Sequence, residues 1–206
     1  MSNMSRRIVV DTCVMAAAGV AKLQEHPRSQ NCREFLFALR DLGHRVVMSA
    51  ELATEWRNHK NRLGLSWLSI MHKRRQIVWV NENEVLHEKI FHLIHEMCDS
   101  EDISVRGREA IEKDILLIVA ARETDRIIVS LDRVMLGLLG KVAPKAPEVY
   151  SLFWIDPDPK SEASYSAEDV ISWMKRGALI GEQVCIGESS SKQGLTCGDF
   201  DAGLRM

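Results

Sequence analysis

Short apolar runs and helical stripes alternate along this chain. Arg7 to Asp11 reads RIVVD, a β-branched apolar run closed by an acid, and such a run predicts a buried strand. From Asn31 to Leu42, the residues Cys32, Phe35, Leu36, Leu39 and Leu42 share one stripe at helical spacing, with Gly43 as the stop. Arg45 to Met48 is a second apolar run. Ser49 then stands where a helix N-cap belongs, and helical character begins at Glu51. Ile77 to Val80 (IVWV) predicts a third strand, and Leu86, Ile90, Leu93, Ile94 and Met97 repeat at helical spacing behind it. A further helix runs from Arg108 to Glu123 with Ile111, Ile115, Ile118, Val119 and Arg122 in phase. Arg126 to Leu131 (RIIVSL) is the clearest buried strand and is ended by Asp132. Val149 to Ile155 (VYSLFWI) predicts a last strand before Asp156-Pro157-Asp158-Pro159.

Strands that alternate with helices and are apolar on both faces predict an α/β fold whose parallel sheet is covered on both sides. The proline-rich stretch after Ile155 closes that unit, giving residues 6–157 to the α/β domain and 158–206 to a C-terminal extension. The extension carries one short helix, Ala167 to Arg176, with Ser166 as its cap. After Gly181 the composition turns to Gly, Ser and isolated polar residues (GESSSKQG), which reads as a weakly ordered tail or a partner-binding extension. No internal repeat is visible.

Composition narrows the picture. The chain has 206 residues, 46% hydrophobic and 27% charged, the profile of a globular protein. A chain of this length buries about 70% of the surface its unfolded form exposes, so a core needs neither disulfides nor a structural metal. Lys and Arg number 27 against 29 Asp and Glu, a net charge of −2. This excludes a globally basic nucleic-acid coat protein but leaves room for a local basic track beside an acidic pocket. The longest clean apolar run, Ile115 to Ala121, falls well short of the ~18 residues of a membrane helix. Arg6-Arg7 ahead of Ala16-Ala17-Ala18 imitates a secretory signal, but Asp11 interrupts its core. The cysteines (Cys13, Cys32, Cys98, Cys185 and Cys197) are odd in number, widely spaced and without a C-x-x-C pair. The expectation is a protein of the reducing cytoplasm with no membrane partner.

In an open parallel sheet, ligands bind beyond the carboxyl ends of the strands. Asp11 ends the first strand and Asp132 the fourth. Glu51 and Glu55 begin the helix after the second strand, four apart and therefore on one face. Asp114 lies in the early turns of the helix that leads to the Asp132 strand. Carboxylates gathered this way repel one another unless a cation neutralises them, and oxygen donors suit hard ions such as Mg²⁺ or Mn²⁺. Such an ion activates water and stabilises charge building on a phosphate, so the expected chemistry is phosphodiester hydrolysis. Taken singly, each acid also reads as a helix cap or a solvated loop residue.

Together these residues resemble the PIN-domain nucleases. The resemblance rests on Asp11-Thr12 closing an apolar strand, Glu55 six residues after Ser49, Asp114 opening a helix, and Ser130-Leu131-Asp132, with Asp114 and Asp132 eighteen residues apart and Ala121 at the small position between them. It covers roughly Arg7 to Pro157. It implies a three-layer α/β/α fold with a central parallel β-sheet, and a Mg²⁺- or Mn²⁺-dependent ribonuclease site made of Asp11, Glu55, Asp114 and Asp132. Of these, Asp11, Asp114 and Asp132 would ligate the metal. Many members are toxins of bacterial toxin–antitoxin pairs, so an antitoxin or other protein partner and a homodimer are implied besides RNA. Two positions depart from the family: Cys13 stands where an Asn is frequent, and Val134 where a further acid is frequent. They open a second reading, a catalytically weak or inactive PIN-fold module that binds nucleic acid or protein.

Thr12 and Ser130 beside the acids are candidate substrate-binding residues, as are Arg57, Lys60 and Arg62 of a basic track. That track runs to Arg75 and contains Trp56 and Trp67. Cations neutralise phosphates and exposed aromatics stack on bases, although two tryptophans at helical spacing also suit a core. His92 and His95 are three apart, but H-x-x-H-E is not the metalloprotease pattern, and both lie opposite Ile90 and Ile94. A phosphoaspartate enzyme would use Asp11 as nucleophile, yet the second acid of D-x-D is replaced by Cys13.

Overall fold

The computed structural model describes residues 5–19, 26–58, 62–81, 83–100, 105–160, 163, 165–178 and 186. Five strands form one sheet: β1 (Arg7–Val10), β2 (Arg45–Met48), β3 (Ile77–Trp79), β4 (Ile127–Val129) and β5 (Phe153–Ile155). Their order is β3-β2-β1-β4-β5 and every pairing is parallel. β-Branched side chains crowd a helical turn but pack well on a pleated surface. Ile8, Val9, Val10, Ile127, Ile128 and Val129 are each at most 1% exposed, so β1 and β4 are covered on both faces.

Parallel neighbours need crossovers, and helices supply them. α1 (Thr12–Ala18) and α2 (Pro27–Asp41) join β1 to β2, and α3 (Ala50–Asn58) and α4 (Arg62–Lys73) join β2 to β3. α5 (Glu84–Ser100) and α6 (Val105–Arg122) lead to β4; α7 (Arg133–Val142) and the short α8 (Pro147–Tyr150) lead to β5; α9 (Ala167–Lys175) follows. α1, α2, α4 and α9 pack together, with α2 on β2, while α5, α6 and α7 form a second group, with α6 on β1, β2 and β4. The result is a three-layer α/β/α sandwich. Among the described residues no helix is long and apolar enough to cross a membrane.

Strand order reverses at β1: the chain winds out through β2 to β3, then returns to place β4 and β5 on the other side. In such sheets the ligand crevice lies beyond the carboxyl ends of the two strands at the reversal. Here those are β1, followed by Asp11, and β4, followed by Ser130.

Several elements differ from the sequence expectation. α4 and α7 lie where no element was expected, and α6 begins at Val105, which puts Asp114 in the middle of that helix rather than in its early turns. α1 was not foreseen; it is short, and its cap Asp11 reads equally as a strand-ending acid. α2 begins at Pro27 rather than Asn31, because His26 Nδ1 accepts from Arg28 N and proline suits a first helical turn. The expected strand Val149 to Ile155 is half helix. Pro147 opens α8, Val149 N and Tyr150 N both donate to Ala146 O at 2.9 Å, and the strand starts only at Phe153. α9 matches its expectation and has a complete capping box between Ser166 and Asp169. It buries Val170, Trp173 and Met174 in the same hydrophobic cluster as the sheet. His44 fastens it. Fully buried, its Nδ1 accepts from Arg6 N at 3.2 Å and its Nε2–H donates to Met174 O at 3.0 Å. The Gly- and Ser-rich tail lies outside the described residues.

Candidate functional site

Asp11 belongs to two elements at once. Its N–H donates to Val129 O at 3.0 Å, prolonging the β1–β4 ladder, while its Oδ1 accepts from Cys13 N at 3.1 Å and caps α1. The carboxylate is thereby aimed into the crevice between the two strand ends. Ser130 Oγ donates to Asp11 Oδ2 at 2.6 Å, and Cys13 Sγ lies 3.0 Å from the same oxygen. Thr12 Oγ1 is 3.2 Å from both Asp11 Oδ1 and Glu55 Oε1. One hydroxyl proton serves one acceptor at a time, so Thr12 couples α3 to the start of α1. Asp132 N donates to Ser130 Oγ at 3.0 Å, and Asp132 Oδ1 caps α7 by accepting from Met135 N at 2.8 Å.

The structure thus brings Asp11, Thr12, Glu55, Ser130 and Asp132 into one bonded group. Thr12 and Ser130 are buried with their hydroxyls turned onto carboxylates. Asp114 is half-buried on α6, the helix that packs on β1, α3 and α7. Among the described residues, no three His, Cys, Asp or Glu side chains stand close enough to hold one ion as placed. The donor chemistry nevertheless suits a hard cation. Every candidate donor is a carboxylate oxygen, and among the described residues Asp132 Oδ2 and Glu55 Oε2 accept no hydrogen bond. Glu51, one turn before Glu55 on the same face of α3, has a buried Oε2 without a hydrogen-bond partner.

The charge around these acids is unbalanced. Among the described residues, ion pairs with Lys or Arg engage Asp41, Asp125, Glu148, Asp156 and Asp158, and none engages Asp11, Glu55 or Asp132. Arg133 follows Asp132 directly in sequence, yet its guanidinium turns to Asp156 Oδ2 at 2.7 Å. The thiol of Cys13 is held in its protonated form: burial pushes its pKa well above the ordinary range, and the Asp11 charge and hydrogen bond push it further. A thiol so placed is a hydrogen-bond donor rather than a nucleophile.

The basic track divides. Trp56 and Trp67 are each 1% exposed and stack on each other at 5.8 Å. Their Nε1–H groups donate to Val10 O at 3.2 Å and Leu36 O at 2.7 Å. Both therefore belong to the core and neither is presented to a base. Arg57 and Arg62 are exposed at the surface, and Lys60 lies outside the described residues. His95 Nε2 pairs with Glu112 Oε1 at 2.5 Å across α5 and α6. Cavities of about 520 and 550 Å³ open beside Glu84 and Glu123 and beside Asn31 and Tyr165, and the acids line neither.

Two features escaped the sequence reading. The bonding of Cys13 was passed over because a thiol bonds weakly and its partner Leu131 is 118 residues away. The Arg133–Asp156 brace was hidden in a stretch that reads as a proline-rich linker. Its only signal was an arginine at the start of a helix and an acid at the end of a strand. Comparison with protein-family models, curated proteins and solved structures returns no match for this chain.

Proposed function

We propose that this protein is a metal-dependent endoribonuclease of the PIN type, hydrolysing RNA phosphodiester bonds in the cytoplasm. Asp11, Asp114 and Asp132 would hold Mg²⁺ or Mn²⁺, and Glu55 would complete the set or orient the attacking water. The observation that carries the reading is that, among the described residues, Asp11, Glu55 and Asp132 stand at the β1–β4 reversal with neutral donors and no ion pair, while other acids of the fold are paired with cations. When bound, the ion supplies an activated water and charge stabilisation at the phosphate. The chain's own residues hold the Asp11 carboxylate through Ser130 and Cys13 and the Asp132 carboxylate through Met135 N, with the Thr12 hydroxyl between Asp11 and Glu55, donating to one of them at a time. Exposed Arg57 and Arg62 would neutralise backbone phosphates along α3 and α4. The partners this reading implies are RNA, an antitoxin or other protein, and a second copy of the chain.

A second reading, a PIN-like module that binds without cutting, is favoured by Val134. This residue is 73% exposed and apolar where the resemblance puts a further acid. Incubation with single-stranded RNA, with Mn²⁺ or with chelator, separates the two. The nuclease reading expects Mn²⁺-dependent cleavage that falls by about 10²–10³-fold in Asp11→Asn and in Asp132→Asn, the scale of losing one group that stabilises transition-state charge. RNA binding without cleavage, unchanged in both variants, leaves only the module.

A further inference from the structure

We propose that Cys13 is a positioning residue whose thiol, in parallel with the Ser130 hydroxyl, fastens Asp11 Oδ2 to the β4 loop. The inference rests on reading Asp11 as a metal ligand only for its effect on metal affinity.

Four contacts give the thiol a direction. Leu131 N lies 3.3 Å from Cys13 Sγ, and a backbone N–H can only donate. Ser130 Oγ lies 3.5 Å from the sulfur, but its proton is committed to Asp11 Oδ2 at 2.6 Å. The S–H is therefore left to donate to Asp11 Oδ2, 3.0 Å away. Two relays then run side by side from consecutive amides of the β4 loop to one oxygen. The first is Leu131 N–H to Cys13 S–H to Asp11 Oδ2. The second is Asp132 N–H to Ser130 O–H to Asp11 Oδ2. Asp11 Oδ1 is held separately by Cys13 N, the cap of α1. The first relay adds a second donor to Oδ2 from the α1 side, so that this oxygen is held from two directions. Both relays cross from β4 to β1, so they also fix the spacing between Asp11 and Asp132.

Cys13→Ser keeps a donor and an acceptor, whereas Cys13→Ala removes both with little change in size. Direct titration with Mn²⁺, followed by the electron paramagnetic resonance of the free ion, reads metal affinity without any need for turnover. Removing a residue that orients a ligand lowers metal affinity by about 10-fold or more. Cys13→Ala is expected to show that loss and Cys13→Ser to recover most of it. Thermal melting of the metal-free proteins supplies the second readout. If the thiol bonds as described, Cys13→Ser melts above Cys13→Ala. If it merely fills space, the order reverses, because a buried hydroxyl without a partner is less favourable than a methyl group. Equal Mn²⁺ affinity in Cys13→Ala and wild type, or the reversed melting order, overturns the proposal. A wild-type chain that takes up no Mn²⁺ overturns the nuclease reading instead, and the melting order still decides whether Cys13 fastens Asp11.

Discussion

Asp156 and Asp158 follow β5, and Asp11 and Asp132 follow β1 and β4, so two groups of acids stand at the carboxyl ends of nearby parallel strands. The group after β5 is balanced from within. Asp156 takes the Arg133 guanidinium, Asp158 takes Arg28 Nε at 3.2 Å and Asn31 Nδ2 at 2.8 Å, and the Asp158 carbonyl accepts a further bond from Arg133. Among the described residues, the group at β1 and β4 has only neutral donors: a thiol, two hydroxyls and backbone amides. Arg133 makes the contrast sharp, since it adjoins Asp132 in sequence and neutralises the other group. A carboxylate paired with its own arginine has no need of an outside cation. A set of half-buried carboxylates without one gains from any divalent ion that binds. The comparison separates acids neutralised by the fold's own arginines from acids that, among the described residues, have neutral donors alone.

The largest effect on stability should come from opening the balanced group. Asp156→Ala removes a buried carboxylate that accepts one bond from the Arg133 guanidinium and a second from Asp158 N, and losing both costs about 3 kcal/mol. For a chain of this size that corresponds to a fall in Tm of ~6–12 °C. Mn²⁺ affinity should change little, and a collapse of metal binding in this variant would erase the distinction between the two groups.

Nearly as large is the converse effect at the unbalanced group. Mn²⁺ at about 100 times its Kd should stabilise the wild type by roughly 2.7 kcal/mol, because it binds the folded chain alone. In Asp11→Asn most of that gain should vanish. Calorimetry with and without the ion measures it, and an equal gain in both proteins would place the bound ion elsewhere.

A smaller effect clears the background for acid titrations of either group. His44 is buried and neutral, and burial lowers its pKa below the ordinary histidine value. The unfolded chain takes up a proton below about pH 6.5 while the folded chain resists it, so His44 stabilises fully above that pH and its contribution is lost as pH falls toward its folded-state pKa. His44→Gln keeps a donor for Met174 O and an acceptor for Arg6 N without titrating. It should flatten the decline in Tm between about pH 6.5 and 5. An unchanged decline would assign the acid sensitivity to carboxylates.

Much of the fold was legible because the inner strands are buried on both faces and show as apolar runs, and Arg7–Val10 and Arg45–Met48 lie where those runs predict. The edge strand Ile77–Trp79 also lies where its run predicts, although Trp79 is exposed. Helices with one apolar stripe, such as the Cys32–Phe35–Leu36–Leu39 face of α2, were equally plain. The stretch from Val149 was misread because a continuous apolar run does not distinguish strand from buried helix, and Pro147 decided for helix at its start. Trp56 and Trp67 show a similar limit. Composition allows an aromatic to be a base platform or a core residue, and only their burial and backbone hydrogen bonds decide.

The chain's own sequence determined which residues are acidic, which runs must be covered on both faces, and that Asp11 and Asp132 would end strands, since these follow from local pattern and side-chain chemistry. Tertiary structure alone decided that Asp11 and Ser130, 119 residues apart, share a hydrogen bond, that Arg133 turns from Asp132 to Asp156, and that Cys13 receives the Leu131 amide. Charge balance and hydrogen-bond direction depend on what stands within about 3 Å, and strand order, which no local pattern encodes, sets that.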